Sequence, residues 1–299
     1  MQDITIGLKV DVDTHVGLMR GVPALAQALN EYGVQASFYV AMGPDNSGRA
    51  VRRVFTQRNF LRKMLRTRAA GTYGLKTTLY GTLLPGPLIG CANGHILRWL
   101  EGLGHEVGPH GWDHIRWHDY IRHMPASKVE MEIDRFVGAY RFVFDRRPVG
   151  SAAPGWQCSE ASLLAMYKMG LQYSADTRGV SIFLPIVDGK PLPFPQIPTT
   201  LPTLDELIGS PELAGADPAD YLLDRILPGQ LNIYTLHAEF EGMAHMPIFR
   251  RVIEGLLARG ARFAKLCDLA AEAQRGEIPA GHFEPREIPG RAGFVVCQV

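Results

Sequence analysis

The chain has 299 residues, 46% of them hydrophobic, and a formal net charge of +1, so it can bury one large core or two smaller ones. Its four cysteines, Cys91, Cys158, Cys267 and Cys297, are far apart and none belongs to a CxxC. That argues against a disulfide framework or a cysteine zinc site, and for a reducing compartment.

Met1-Gln2-Asp3-Ile4 lacks a basic n-region and an apolar h-region, so no secretory leader is expected. With no Ser/Gly-rich linker and no internal repeat, one α/β domain over 1–299 with an insertion is the simplest organisation.

Residues 4–10 read as a strand that delivers Asp11 at its end. A helix pattern covers 19–32, stopped by Gly33, and 34–40 is a second strand. The insertion, 46–100, follows. No Asp or Glu lies between Asp45 and Glu101, whereas ten Lys and Arg do. Helical spacing places Phe60, Leu61, Met64 and Leu65 on one side and Arg62, Arg66 and their neighbours, including Arg58 and Lys63, on the other. That is the pattern of a helix lying on an anionic membrane surface.

Residues 77–97 then carry no formal charge but contain Gly81, Pro85, Gly86, Pro87, Gly90 and Gly94. So many breakers suit an interfacial or re-entrant apolar loop better than a membrane span. The bland reading is an arginine-rich solvated face followed by an ordinary loop. Nucleic-acid binding is not expected, because basic and aromatic residues do not interleave in a known signature.

Downstream, 94–103 is helical and 105–108 is a short strand leading to His110. A long helix covers 124–144, and a strand at 149–153 ends in Pro154-Gly155-Trp156. A helix at 159–169 precedes a strand at 171–174 that leads to Asp176. A strand at 231–236 ends in His237, a helix spans 246–259, and 262–265 is a last strand. Alternating β and α predicts a parallel sheet. The polar candidates all follow C-terminal strand ends, where a β/α barrel builds its active site. The strand count is nearer seven than eight, so the fold expected is an irregular (β/α) barrel with a basic and apolar insertion after its second strand.

Three short segments suggest one scattered site: Asp11-Val12-Asp13, His110-Gly111-Trp112-Asp113-His114, and His237. One carboxylate and two imidazoles, Asp13, His110 and His114, make a three-ligand metal set with an open position. Asp11 and His237 are then free for proton transfer, and metal, base and acid are what amide hydrolysis requires. Alone each motif is weak. Asp-x-Asp after a strand also caps helices and turns, and a strand-terminal histidine is more often structural. His118 extends the i, i+4 series and, with His105 and His123, is a competing candidate.

Taken together these motifs resemble the polysaccharide deacetylase family, also called NodB-homology or carbohydrate esterase 4, over residues 4–270. The resemblance implies that Asp11 is the base, that Asp13, His110 and His114 hold a divalent metal, and that His237 is the catalytic histidine. It also implies that Asp176 orients His237. Zinc suits the ligand set; manganese, cobalt or nickel could fill it. The family's third motif normally supplies an arginine to the base, but Ser151-Ala152-Ala153-Pro154-Gly155-Trp156 has none. Pro154 and Trp156 could still wall the pocket. Arg178 is a candidate substitute; alternatively the metal alone tunes Asp11.

Within the family, residues 9–14, 43–46, 104–108, 112–114, 196–203 and 237–239, the last including Glu239, are similar to a branch of bacterial deformylases. That branch acts on a polyprenyl-phosphate-linked amino sugar at the cytoplasmic face of the inner membrane, in lipid A modification and polymyxin resistance. The alternatives are a deacetylase of another amido-sugar or glycan, and a non-enzymatic peripheral membrane protein with a structural metal.

Overall fold

The computed structural model describes residues 3–53 and 76–299. The membrane-facing residues expected within 54–75, Arg58, Phe60, Leu61, Arg62, Lys63, Leu65 and Arg66, lie outside the described residues.

Strand β1, Thr5–Val12, is the centre of an α/β fold. It runs parallel to β2 (Ser37–Val40), β8 (Asn232–His237) and, at its start, β9 (Arg262–Ala264). β2 in turn pairs in parallel with β3 (Glu106–Pro109). Side chains alternate across a strand, and β1 uses both faces. Ile6, Leu8, Val10 and Val12 enter the main core with helix Val22–Glu31. Lys9 and Asp11 point the other way, to the face carrying Tyr39 of β2 and Ile233 of β8. The register sets Asp11 beside Tyr39 and His237. One periodicity thus packs the sheet and delivers the carboxylates to its interior.

The assigned sheet stops at β3, and among the described residues no closed barrel is assigned. Backbone hydrogen bonds continue past it. Ala152 N–H donates to Pro109 O (3.2 Å), and β4 (Gly150–Ser151) pairs in parallel with β5 (Tyr173–Ser174). Ile197 N–H donates to Ser174 O (2.9 Å), and the Thr200 and Leu201 N–H groups both reach Ile233 O of β8 (3.2 Å).

Most expected elements occur with shorter ends. The helix expected over 19–32 begins as a π-helical turn, Gly17–Gly21, before the α-helix Val22–Glu31. A Cβ on Gly21 would lie 1.9 Å from Ala238 O, so the bare backbone lets the segment after β8 close over this turn. The strands expected at 149–153 and 171–174 shrink to two residues each. Pro154 cannot donate to a ladder, and Gly155 (φ 61°) and Trp156 (φ 52°) turn the chain away.

Two features were not anticipated. β6 (Leu184–Val187) pairs with β7 (Lys190–Pro191) and β10 (Ala280–Gly281). β11 (Phe283–Glu287) and β12 (Phe294–Gln298) form an antiparallel hairpin, which carries Arg291 in its turn.

His105, a competing ligand in the sequence, is structural. Buried, it accepts the Ala36 N–H at Nδ1 (3.2 Å) and meets Phe38 edge-on at 5.1 Å. Burial, helped by Lys265, depresses its pKa to about 4. An unfolded imidazole titrates near pH ~6.5, so between those values the unfolded chain binds more protons and stability falls as pH falls. The stability is complete above pH ~6.5 and lost towards pH 4, on the order of 3 kcal/mol for this group. His105→Asn, which keeps an acceptor without the titration, should flatten the acid slope in chemical denaturation at pH 7 and pH 4.5. An unchanged slope would refute the assignment.

Candidate metal centre and active site

Asp13 follows β1, and its turn is held by Glu239. Glu239 Oε1 accepts the Asp13 N–H (2.9 Å), the Thr14 N–H (2.7 Å) and the Thr14 hydroxyl (2.8 Å). Burial, reinforced by the Asp13 charge, raises the Glu239 pKa to about 8. His110 lies just beyond β3, and His114 opens the helix His114–Tyr120. Asp113 caps that helix by accepting the Arg116 N–H (3.0 Å), and Asn46 fixes the cap by donating to Asp113 Oδ2 (2.7 Å).

The result is a cluster. His110 Nε2 is 3.3 Å from Asp13 Oδ1, and His114 Nε2 is 3.4 Å from Asp13 Oδ2. One ligand atom from each of the three residues lies within 4.8 Å of the others.

The donor set fits a divalent cation on several counts. His110 Nδ1 lies 2.9 Å from Ala152 O, which fixes the tautomer and leaves Nε2 as the lone-pair nitrogen. Burial lowers the His114 pKa to about 4, so its imidazole is neutral, as a ligand must be. Burial alone would raise the Asp13 carboxyl, but His114 and His110 outweigh it and hold Asp13 well below the usual carboxylate range. Asp13 Oδ1 is buried without a hydrogen-bond partner. His118 stands apart: its Nδ1 pairs with Asp119 Oδ1 (3.1 Å), and burial depresses it to about 3. A Cβ on Gly155 would sit 2.2 Å from the His118 ring, so a left-handed glycine is required there.

The cation at Asp11 is Lys9. Two positions upstream on β1, Lys9 is wholly buried and its Nζ bonds Asp11 Oδ2. The ammonium also lies 5.4 Å from the Trp156 ring centroid and 5.8 Å from that of Tyr39. Asp11 Oδ1 is buried, has no hydrogen-bond partner among the described residues, and is 3.9 Å from His110 Nδ1. Arg178, the candidate substitute for the missing arginine, is engaged elsewhere. It bonds Glu206 (2.8 and 3.1 Å) and Leu201 O (3.0 Å), and stacks 5.0 Å from Trp156.

His237 ends β8, with its N–H given to Glu241 (2.8 Å). Burial raises Glu241 to about 7. The carboxylate beside the His237 ring is Asp205, 3.7 Å from Nδ1. Asp176, expected there, instead accepts the Ser174 hydroxyl (2.8 Å), and burial pushes its pKa to about 7. The cause is topological: Asp176 follows the short β5, whereas the 200–205 segment runs alongside β8. Trp156 forms the neighbouring wall, its indole edge-on to His237 at 6.4 Å, with N–H donated to Thr199 (2.9 Å). Pro154 is buried in the same turn.

The expected Asp11, Asp13, His110, His114 and His237 therefore converge on one rim, with Glu239, Trp156 and Pro154 around them. Lys9 and Asp205 were missed. Only Lys9 had a readable sign, its i−2 position on a strand, which puts it on the face of Asp11.

The family profile described as Polysaccharide deacetylase matches residues 3–174. The chain is also similar to two proteins described as probable 4-deoxy-4-formamido-L-arabinose-phosphoundecaprenol deformylase ArnD. The one from Shewanella sediminis (strain HAW-EB3) is 35% identical over 298 residues, 99% of this chain and 96% of that protein. The one from Wigglesworthia glossinidia brevipalpis is 30% identical over 286 residues, 95% and 98% of the two chains. Among solved structures, the probable polysaccharide deacetylase from Pseudomonas aeruginosa PAO1 has a TM-score of 0.59 at 17% identity, over 92% of this chain and 93% of that one. This last is a likeness of fold.

Proposed function

The chain belongs to the polysaccharide deacetylase family, and on that premise we propose that it is a metal-dependent amide hydrolase that removes formyl from undecaprenyl-phosphate-linked 4-deoxy-4-formamido-L-arabinose. The formamide gains water and leaves as formate, giving the 4-amino sugar used in lipid A modification and polymyxin resistance. One observation carries this reading: a partly buried Asp13–His110–His114 cluster lies beside a carboxylate and an imidazole that are not part of it, Asp11 and His237. The near full-length similarity to proteins named as deformylases selects formyl among acyl groups.

A divalent ion held by Asp13, His110 and His114, whether zinc, manganese, cobalt or nickel, supplies Lewis acidity and lowers the pKa of water. The chain's own groups do the rest. Asp11 Oδ1, without a partner of its own, accepts the proton as water attacks the formyl carbon. Lys9 holds the other carboxylate oxygen and so aims Oδ1. His237, facing Asp205, protonates the leaving amine. Trp156 narrows the pocket for the smallest acyl group. Asp176 supports the interior beneath, while Glu239 holds the turn that carries Asp13 and Arg178 braces the Trp156 wall of the substrate pocket.

The reading extends to architecture and place. The links from β3 to β4, from β5 to residue 197 and from 200–201 to β8 support an irregular seven-stranded (β/α) barrel, one NodB-homology domain over 1–299. The 46–100 insertion meets an anionic surface at the cytoplasmic face of the inner membrane, with Arg58, Arg62, Lys63 and Arg66 at the lipid phosphates and Phe60, Leu61 and Leu65 in the interface. Supporting this, Leu83 is 80% exposed, Leu84 and Leu88 are exposed beside it, and among the described residues no helix is long and apolar enough to cross a membrane.

The test is mass spectrometry of the polyprenyl-linked sugar before and after incubation with metal-loaded protein. The expected product has lost one formyl group in exchange for hydrogen. Cleavage of an acetamido-sugar alone would favour the deacetylase alternative. Full metal occupancy with no turnover would favour a structural metal.

A further inference from the structure

Arg53 is a buried guanidinium whose function is not accounted for by the reaction at the metal cluster. It follows the 3-10 turn Ser47–Arg52, and its Nε donates to Asp119 Oδ1 (2.7 Å). That same oxygen is held by His118, one helical turn beyond His114. Arg53 Nη2 is buried and among the described residues has no hydrogen-bond partner. The guanidinium is close enough to interact electrostatically with Asp13, His114 and Arg291. Arg291 itself stacks 4.3 Å from Trp156 and shares Glu206 (3.2 Å) with Arg178. Among the described residues, then, a buried guanidinium held at Nε by Asp119 has a second donor with nothing to give to. A buried cationic donor without an acceptor is costly, and an anion at Nη2 removes that cost.

The chemistry of the proposed substrate says where its anion must lie. With nitrogen on C4, the arabinose ring can close only through O5, as a pyranose. C1, which bears the phosphate, is then across the ring from C4. When the formamide sits at Asp13, His110 and His114, the phosphodiester lies one ring-width away.

We propose that Arg53, braced by Asp119, is the seat of the substrate's sugar-1-phosphate. This rests on the deformylase reading. It separates substrate recognition from membrane contact: Arg53 grips the phosphate at the rim, whereas the arginines of 58–66 meet bulk lipid. Guanidinium suits the task because its forked donors match phosphate oxygens.

The test compares two water-soluble substrates, a short-prenyl phosphodiester of 4-formamido-arabinose and its methyl glycoside, which lacks phosphate. Arg53→Gln should lower the ratio of kcat/KM for the first over the second about 10–100-fold, mostly through KM, the scale of a charge-assisted hydrogen bond. Arg53→Lys should restore part of the ratio. Calorimetric binding of farnesyl phosphate to the metal-loaded protein should weaken in parallel, while co-sedimentation with anionic vesicles should persist. Equal losses on both substrates would mean a scaffold role and overturn the proposal. Lost vesicle binding with unchanged farnesyl phosphate affinity would also overturn it, assigning Arg53 to lipid headgroups. If neither substrate released formate but Arg53→Gln still abolished farnesyl phosphate binding, the deformylase reading would fail and the phosphate seat would stand.

Discussion

His110→Ala and His114→Ala should each lose bound metal and turnover together, whereas His118→Ala should keep its metal. The three histidines are close along the chain, but the geometry separates them. His110 and His114 present Nε2 to Asp13 at 3.3 and 3.4 Å. His118 turns Nδ1 to Asp119 instead. Changes to groups that merely orient a ligand typically cost ~10–100-fold in metal affinity, and losing one of three protein ligands costs more. Metal content after dialysis, read beside formate release, distinguishes the variants. If His114→Ala held its metal and full rate, the cluster would be misassigned.

The metal-site residues were legible because strand ends announce themselves. An apolar run ending in Asp-x-Asp, and another ending in His237, place their last side chains at the rim of any parallel sheet. Partners contributed by loops were not legible in this way. Asp205 reaches His237 because the 200–201 backbone is pinned to Ile233 of β8, and nothing in Thr203-Leu204-Asp205 hints at that. Asp176 had the better sequence argument, a carboxylate just past a strand, yet β5 ends too early to bring it there. Arg291 arrives in the turn of a C-terminal hairpin that the pattern of alternating strands and helices gave no reason to expect. Lys9 is different. Alternation along Ile6, Leu8, Val10 and Val12 puts Lys9 on the interior face with Asp11, and a lysine there has to be paired. Where the third motif lacks an arginine, Lys9 supplies a cation to Asp11, the proposed base.

That pairing gives Asp11→Asn two separable effects. Without an ionised Asp11 the attacking water loses its base, and kcat should fall roughly 10²-fold or more while metal stays bound. The same change strands the Lys9 ammonium, which is wholly buried with its nitrogen against Asp11. Removing one partner of a buried ion pair typically costs about 3–5 kcal/mol, because the remaining charge is desolvated and uncompensated. Stability should therefore fall with activity, and a loss of rate alone would not distinguish a base from a scaffold residue. The double variant Lys9→Met with Asp11→Asn does. A thioether fills much of the lysine stem's volume against Trp156 and Tyr39, so stability should return towards wild type. Activity should not return, because no group has replaced the proton acceptor. Lys9→Arg alone should retain more of kcat than Lys9→Met alone, since a cation still holds Oδ2 and aims Oδ1. Denaturant midpoints, metal content and kcat for the four proteins check this. A double variant that recovered both stability and turnover would remove Asp11 from the chemistry and leave it as the counter-ion of Lys9.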